Sequence, residues 1–324
     1  MSNKVLKPKK ASLYQFTQNY SNNIDNCIEF FKSMKWPEGF SCDRCGCHKY
    51  YLVKRVGKTK TSYVLECSSC HKQHSLLSGT IFQSCKLDLY KLLLGIFLFF
   101  NENKGISAIE LCSILDVNYK TTLLLESKCR ILMSLSNSDQ LLNSLFYEAD
   151  VFNIGAKSKN KAGCASEQQT VLGILSTDKE NSYPRFIKLR LINDYTGLSL
   201  KKNIEKCCVL SHDALLNTDG EKGFNTLNGE IQVKNEKISY EEKDHRLLWL
   251  NIIIGNIKNN ITGIYHGITK REMPLFLNEQ EYRFNHRKMG KTVMDKVKKY
   301  LQKSFPISHR QIVYILNISA PHFS

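Results

Sequence analysis

Cys42-Asp43-Arg44-Cys45 and Cys67-Ser68-Ser69-Cys70 form two C-x-x-C pairs separated by 21 residues. Each pair can wrap one side of a tetrahedral ion through a tight knuckle, and the intervening residues are long enough for a hairpin that brings the knuckles together. The spacing predicts a structural zinc ion held by Cys42, Cys45, Cys67 and Cys70, on a ribbon too small to fold without its metal. Cys47, His48, His71 and His74 lie close enough to compete as ligands, but the symmetric pairing is geometrically the simplest.

Charge narrows the partner. Over 324 residues the chain carries 46 Lys and Arg against 30 Asp and Glu, a net charge of +16. Half of it falls on residues 1–72, with 13 basic and 5 acidic residues. A polyanion gains most from such a surface, because each contacted phosphate releases condensed counterions. Within the ribbon, Lys49, Lys54, Arg55, Lys58 and Lys60 alternate with Tyr50, Tyr51 and Val53, which suits a face laid against DNA; a solvated charged face is the competing reading. The start, MSNKVLKPKK, has no apolar core, and the apolar run Leu92–Phe100 is too short to span a bilayer. A reducing cytoplasm is expected, where twelve cysteines signify metal or redox chemistry rather than a disulfide framework.

Along the chain, residues 12–35 read as a helix ended by Trp36-Pro37-Glu38-Gly39, and residues 40–83 as short strands with knuckle turns. A buried helix is expected over Lys86–Phe100. Two helical patterns over 104–134 flank Leu115-Asp116-Val117-Asn118, a turn that could join a helix-turn-helix. The polar stretch Ser134–Ser144 reads as a linker. Strands follow at Leu145–Ile154, Thr170–Ser176 and Arg185–Ile192, then a helix near Lys201–Cys207 and a strand at Ala214–Thr218. A polar loop is expected over 220–244, and helices over 246–260, 269–283 and 291–304. The pattern predicts an α/β fold with a central sheet, organised as a helix and ribbon (1–83), a helix-turn-helix-like segment (84–140), an α/β domain (141–290) and a helical tail (291–324).

Two carboxylates stand out. Asp150 interrupts an apolar strand pattern, where a lone carboxylate is costly unless paired, metal-bound or at the sheet's exposed end. Asp219 ends the short strand before Gly220. Carboxylates on neighbouring strands suit a hard divalent cation, although each alone is more often a turn or capping residue.

The assembled pieces resemble insertion-sequence transposases that pair an amino-terminal zinc ribbon with an integrase-type D-D-E/N-K domain, a bacterial group related to eukaryotic Merlin elements. The resemblance runs from about Trp36 to Arg287. It is carried by the ribbon, Ser78-Gly79-Thr80-Ile81-Phe82, Glu148-Ala149-Asp150, Asn217-Thr218-Asp219-Gly220, Trp249-Leu250-Asn251, Asn256-Ile257-Lys258, Gly263-Ile264-Tyr265-His266-Gly267 and Glu281-Tyr282-Arg283-Phe284-Asn285-His286-Arg287. Val151 and Ala156 depart from the commoner residues of that group. The resemblance implies a ribonuclease-H-like catalytic domain in which Asp150, Asp219 and Asn251 hold two Mg2+ or Mn2+ ions. Lys258, seven residues beyond Asn251 and on the same helix face, would meet a DNA phosphate. It further implies cleavage and strand transfer on double-stranded DNA, at transposon ends and a target, by a homodimer or larger assembly in the bacterial cytoplasm near the nucleoid. A zinc-ribbon DNA-binding protein that has lost catalysis is the alternative.

Overall fold

In the computed structural model the described residues are 11–57, 61–137, 141–155, 168–179, 183–235, 247–288 and 293–319. They divide into two compact units, one built from residues 1–135 and 287–313, the other from residues 136–286 and 314–324.

The first unit begins with two helices, α1 (Leu13–Tyr20) and α2 (Ile24–Lys35), where one was expected. The break follows from capping. The Asn23 side chain accepts the Asn26 N–H at 3.2 Å and starts a second helix inside what reads as one apolar periodicity. The ribbon follows as β1 (Tyr50–Val56), β2 (Thr61–Cys67) and β3 (Gln73–Ser75), an antiparallel sheet in that order. Lys58 and Lys60 lie outside the described residues.

Helix α3 (Leu89–Asn101) is capped by Asp88 and buries nearly all of its side chains, as its composition predicts. Two helices follow, α4 (Ala108–Leu115) and α5 (Tyr119–Asn137), joined at the expected turn. Asp116 closes α4 in the left-handed conformation, φ 47°, a state that Asp tolerates better than most residues. The three helices approach closely at Gly95 of α3, where a Cβ would fall 2.6 Å from Leu125 and 3.0 Å from Leu115. Helix α9 (Val293–Lys303) packs on α2: Lys298 Nζ donates to Ser33 Oγ and Gln302 Nε2 donates to the Met34 carbonyl. A last helix, α10, covers His309–Ser319.

The second unit is built on five strands. These are β4 (Phe146–Ile154), β5 (Gln169–Thr177), β6 (Pro184–Ile192), β7 (Leu215–Thr218) and β8 (Gln232–Asn235), in spatial order β6-β5-β4-β7-β8. The first three pair antiparallel as a meander; β7 joins β4 in parallel, and β8 joins β7 in parallel. This mixed sheet has the ribonuclease-H-like arrangement. Helix α6 (Gly197–Glu205) begins earlier than expected and covers one face with Leu200 and Ile204, next to Phe224 of a 3-10 helix at Lys222–Leu227. Helices α7 (Leu248–Gly263) and α8 (Met273–Asn285) cover the other with Leu250, Ile253, Ile254 and Phe276.

The polar loop expected over 220–244 is a correction. It contains the 3-10 helix and β8, while residues 236–246 lie outside those described. Strand β8, Gln-Val-Lys-Asn, is an edge strand without apolar alternation, held by pairing with β7 rather than by any face of its own.

The opposite edge is closed by side chains. Asn285 Oδ1 accepts the Ile187 N–H at 2.8 Å, and its Nδ2 donates to the Ile187 carbonyl at 3.0 Å. One turn earlier, Glu281 Oε2 accepts the Leu189 N–H at 3.1 Å. The i, i+4 spacing on α8 thus reads the i, i+2 spacing of outward-facing amides on β6, as a sixth strand would. Glu281 also faces Lys188 at 3.1 Å and Arg190 at 3.2 Å, so its buried charge is compensated.

Candidate active site and zinc centre

In the ribbon, the four predicted cysteines converge. Cys42 and Cys70 sulfurs lie 3.6 Å apart, Cys45 and Cys67 sulfurs 3.5 Å apart, and all four within 4.8 Å of one another. A tetrahedron with Zn–S bonds of about 2.3 Å has edges of about 3.8 Å, so the donor set fits zinc. The knuckles are alike: Gly46 N–H donates to the Cys42 carbonyl at 2.8 Å, and His71 N–H to the Cys67 carbonyl at 3.0 Å. Both residues take the left-handed conformation, φ 70° and 56°. Burial alone would push the Cys42 thiol upward. The amides of Arg44 and Cys45, with the His74 and Cys70 side chains, outweigh it and bring the thiol down to about 6, favouring the thiolate that a metal requires.

The competing ligands have other occupations. His48 Nδ1 meets the Phe40 carbonyl at 3.0 Å, His71 meets Glu66 at 3.3 Å, and Cys47 meets Ser68 Oγ at 3.6 Å. His74 is the exception: it is buried and lies within ligand range of Cys42 and Asp43.

In the second unit, the central strand β4 carries Asp150. In the parallel register Glu148 faces Asn217 and Ala149 faces Thr218, so Asp219, one step beyond the end of β7, stands beside Asp150. Gly220 turns the chain at φ 68°. Asp219 is exposed and Asp150 half-buried. The Asp150 carboxyl is raised from 3.8 to about 6, chiefly by burial and in smaller part by the Asp219 charge, with the Val151 N–H and Lys258 acting the other way. Three of the four side chains named from the sequence therefore share one electrostatic neighbourhood.

The fourth, Asn251, lies in the first turn of α7 with its side chain exposed. The apolar stripe Leu250, Ile253, Ile254, Ile257 and Ile261 packs on the sheet, which leaves Asn251 and Lys258 on the outward side. Lys258 Nζ sits 5.6 Å from the centre of the Phe152 ring, two residues along β4 from Asp150.

Glu148 was quoted in the sequence motif without a role. Its signal was its i, i+2 spacing from Asp150, which puts both carboxyls on one face of β4. Only 2% exposed, it accepts the Leu250 N–H through Oε2 at 2.9 Å. Burial raises its carboxyl from 4.5 to about 7, against the lowering by that N–H. Among the described residues, Oε1 of Glu148 and Oδ1 of its register partner Asn217 are both buried without a hydrogen-bond partner.

In comparisons with known families, residues 146–285 match the ISXO2-like transposase domain and residues 23–73 match the transposase zinc-ribbon domain. Together these matches span more than half of the chain. No curated protein matches. Among solved structures, the chain is similar to one in the crystal structure of a pre-cleavage Mos1 transpososome. That likeness has 10% identity over 71% of this chain and 79% of the other, with a TM-score of 0.27.

Proposed function

This chain belongs to the IS1595 family of insertion-sequence DNA transposases, and we propose that Asp150, Asp219 and Asn251 hold the divalent ions of its active site. The observation that carries this reading is the juxtaposition of Asp150, in the middle of β4, with Asp219, one step past the end of the parallel neighbour β7, within reach of the Lys258 charge from α7. Two carboxylates brought together on a buried sheet repel each other, a strain that a hard cation with oxygen preference relieves. Bound Mg2+ or Mn2+ would supply Lewis acidity to a phosphodiester in an in-line displacement.

The chain's own groups divide the remaining work. Asp150 and Asp219 would be the charged ligands of the ions, with Asn251 as the third. Asn251 offers a neutral amide oxygen, so it draws a cation less strongly than a carboxylate would. Lys258 presents a cation to a DNA phosphate and orients the end of the element. In cleavage, a water oxygen bonds to phosphorus, the P–O bond to the 3′ oxygen breaks, and that oxygen takes up a proton. In strand transfer, the freed 3′-hydroxyl bonds to a target phosphorus and displaces a target oxygen. The ribbon, within the basic first 72 residues, and the α4–α5 pair are the surfaces we assign to the element's ends, with assembly as a dimer or larger complex on DNA.

Asp150→Ala and Asp219→Ala are expected to abolish Mg2+- or Mn2+-dependent cleavage of an end-bearing DNA while retaining its binding. Cleavage at the wild-type rate by either variant would overturn the assignment. Binding without cleavage by the wild-type protein, in both metals, would instead favour the DNA-binding alternative.

A further inference from the structure

We propose that Glu148 is a positioning residue that holds Asn251 in register with Asp150, an inference that rests on the active-site reading above. The reason lies in how α7 begins. The first-turn amides of a helix have no acceptor within it and are ordinarily met by a Ser, Thr, Asp or Asn at the cap. Here the cap position is Leu247, which is buried and offers no side-chain acceptor. The acceptor comes instead from another element, as the buried Glu148 carboxyl takes the Leu250 N–H at 2.9 Å.

A cap of this kind does something that a local cap cannot. A serine at position 247 would terminate the helix but leave it free to shift along the sheet. Glu148 ties the third residue of α7 to β4, two positions from Asp150. The neighbour of Leu250 is Asn251, whose own amide is held by the Leu247 carbonyl at 2.9 Å. One hydrogen bond therefore links two rigid elements, with a side chain that we assign to the metal site close by in sequence on each. A buried carboxyl is an expensive way to cap a helix, and Leu or Met at position 148 would fill a comparable volume without that cost. Positional coupling explains the choice.

The test uses the full-length zinc-loaded protein with Glu148→Ala, Glu148→Gln and Asp150→Ala. Three readouts are taken: amide exchange at Leu250 and Asn251, Mn2+ titration of the DNA-free protein by the signal of unbound Mn2+, and the Mn2+ concentration giving half-maximal cleavage. Glu148→Ala is expected to speed exchange at both amides and to raise the Mn2+ requirement by about tenfold, the usual consequence of losing a group that orients a ligand. Glu148→Gln keeps an acceptor oxygen, and recovery of both readouts to within about twofold of wild type is expected. Unchanged exchange and Mn2+ affinity in Glu148→Ala would overturn the proposal. So would a folded Glu148→Gln as defective as the alanine variant, and that comparison with wild type decides the matter where alanine does not fold. Should Asp150→Ala bind Mn2+ normally, the active-site reading fails, whereas exchange at Leu250 still reports independently on the cap.

Discussion

Asparagine at position 150 is expected to make the metal-free protein more stable at neutral pH. Burial is the main cause that lifts the Asp150 carboxyl from 3.8 to about 6, with the Asp219 charge adding to it. A carboxyl whose folded-state value lies above its unfolded one binds its proton more tightly when folded. Its contribution to stability is complete below about pH 4 and is lost as pH rises through about 6. At pH 7.5 the ionised Asp150 therefore burdens the fold. A separation of this size corresponds to roughly 3 kcal/mol, which solvent reaching a half-buried group reduces to about 2 kcal/mol. Asn has the same shape and never ionises, so Asp150→Asn removes the burden. Urea unfolding of metal-free wild type and variant between pH 4 and pH 8, in zinc-replete buffer, measures it. The variant's advantage is expected to be near zero at pH 4 and about 2 kcal/mol at pH 7.5. Addition of Mn2+ at ten times its dissociation constant stabilises the wild type by about 1.4 kcal/mol and leaves the variant unchanged, narrowing the gap. A variant that is less stable than wild type at pH 7.5, or an advantage that does not vary with pH, would refute the reasoning.

Two further perturbations test the frame around the site. Cys42→Ser is expected to release zinc, measured by metal analysis of the purified protein, and to weaken binding to the element's ends; unchanged zinc content would remove Cys42 from the ligand set. Asn285→Ala strips the Ile187 N–H and carbonyl of their partners, at a cost of about 1–3 kcal/mol for each group left unsatisfied. The loss is read from the urea midpoint by Trp249 fluorescence in a Trp36→Phe background, since the chain has two tryptophans; a midpoint shift below that of a surface substitution would mean water replaces the side chain.

How much of this was legible in the sequence depends on how far apart the partners lie. Zinc-ligand spacing is local, and the four cysteine sulfurs do converge. The strands β4, β5 and β6 announced themselves by apolar content, and the α4–α5 turn by Leu115-Asp116-Val117-Asn118. Strand β8 did not, because an edge strand of four mostly polar residues takes its stability from its neighbour's backbone. Residues Asp150 and Asp219 carried only weak local signals and gained meaning from the resemblance. Glu148 was hidden for a related reason. Its partner lies 102 residues further on, and nothing in a Glu two positions before an Asp says which amide it will meet. The cap at Asn23 was the opposite failure: its signal was local, but a continuous apolar periodicity covered it.

The motifs that carry the resemblance divide into two physical classes. Asn251 and Lys258 face outward from α7. Arg283, Asn285 and Tyr265 face inward: Arg283 meets buried Glu279 through Nε and Nη2, each at 2.7 Å, and the Tyr265 hydroxyl meets the same carboxylate. Breaking a buried pair of this kind costs roughly 3–5 kcal/mol, because the remaining charge is stranded. Asn285 and Glu281, one turn apart, complete the β6 edge. Substitutions in the second class are expected to abolish transposition by unfolding the sheet's border, and substitutions in the first, on the proposed assignment, to abolish it in a folded protein. A transposition screen alone cannot separate them. Unfolding free energy and cleavage measured together do, because a chemical residue such as Asp150 moves the two in opposite directions, whereas a border residue such as Asn285 moves both down.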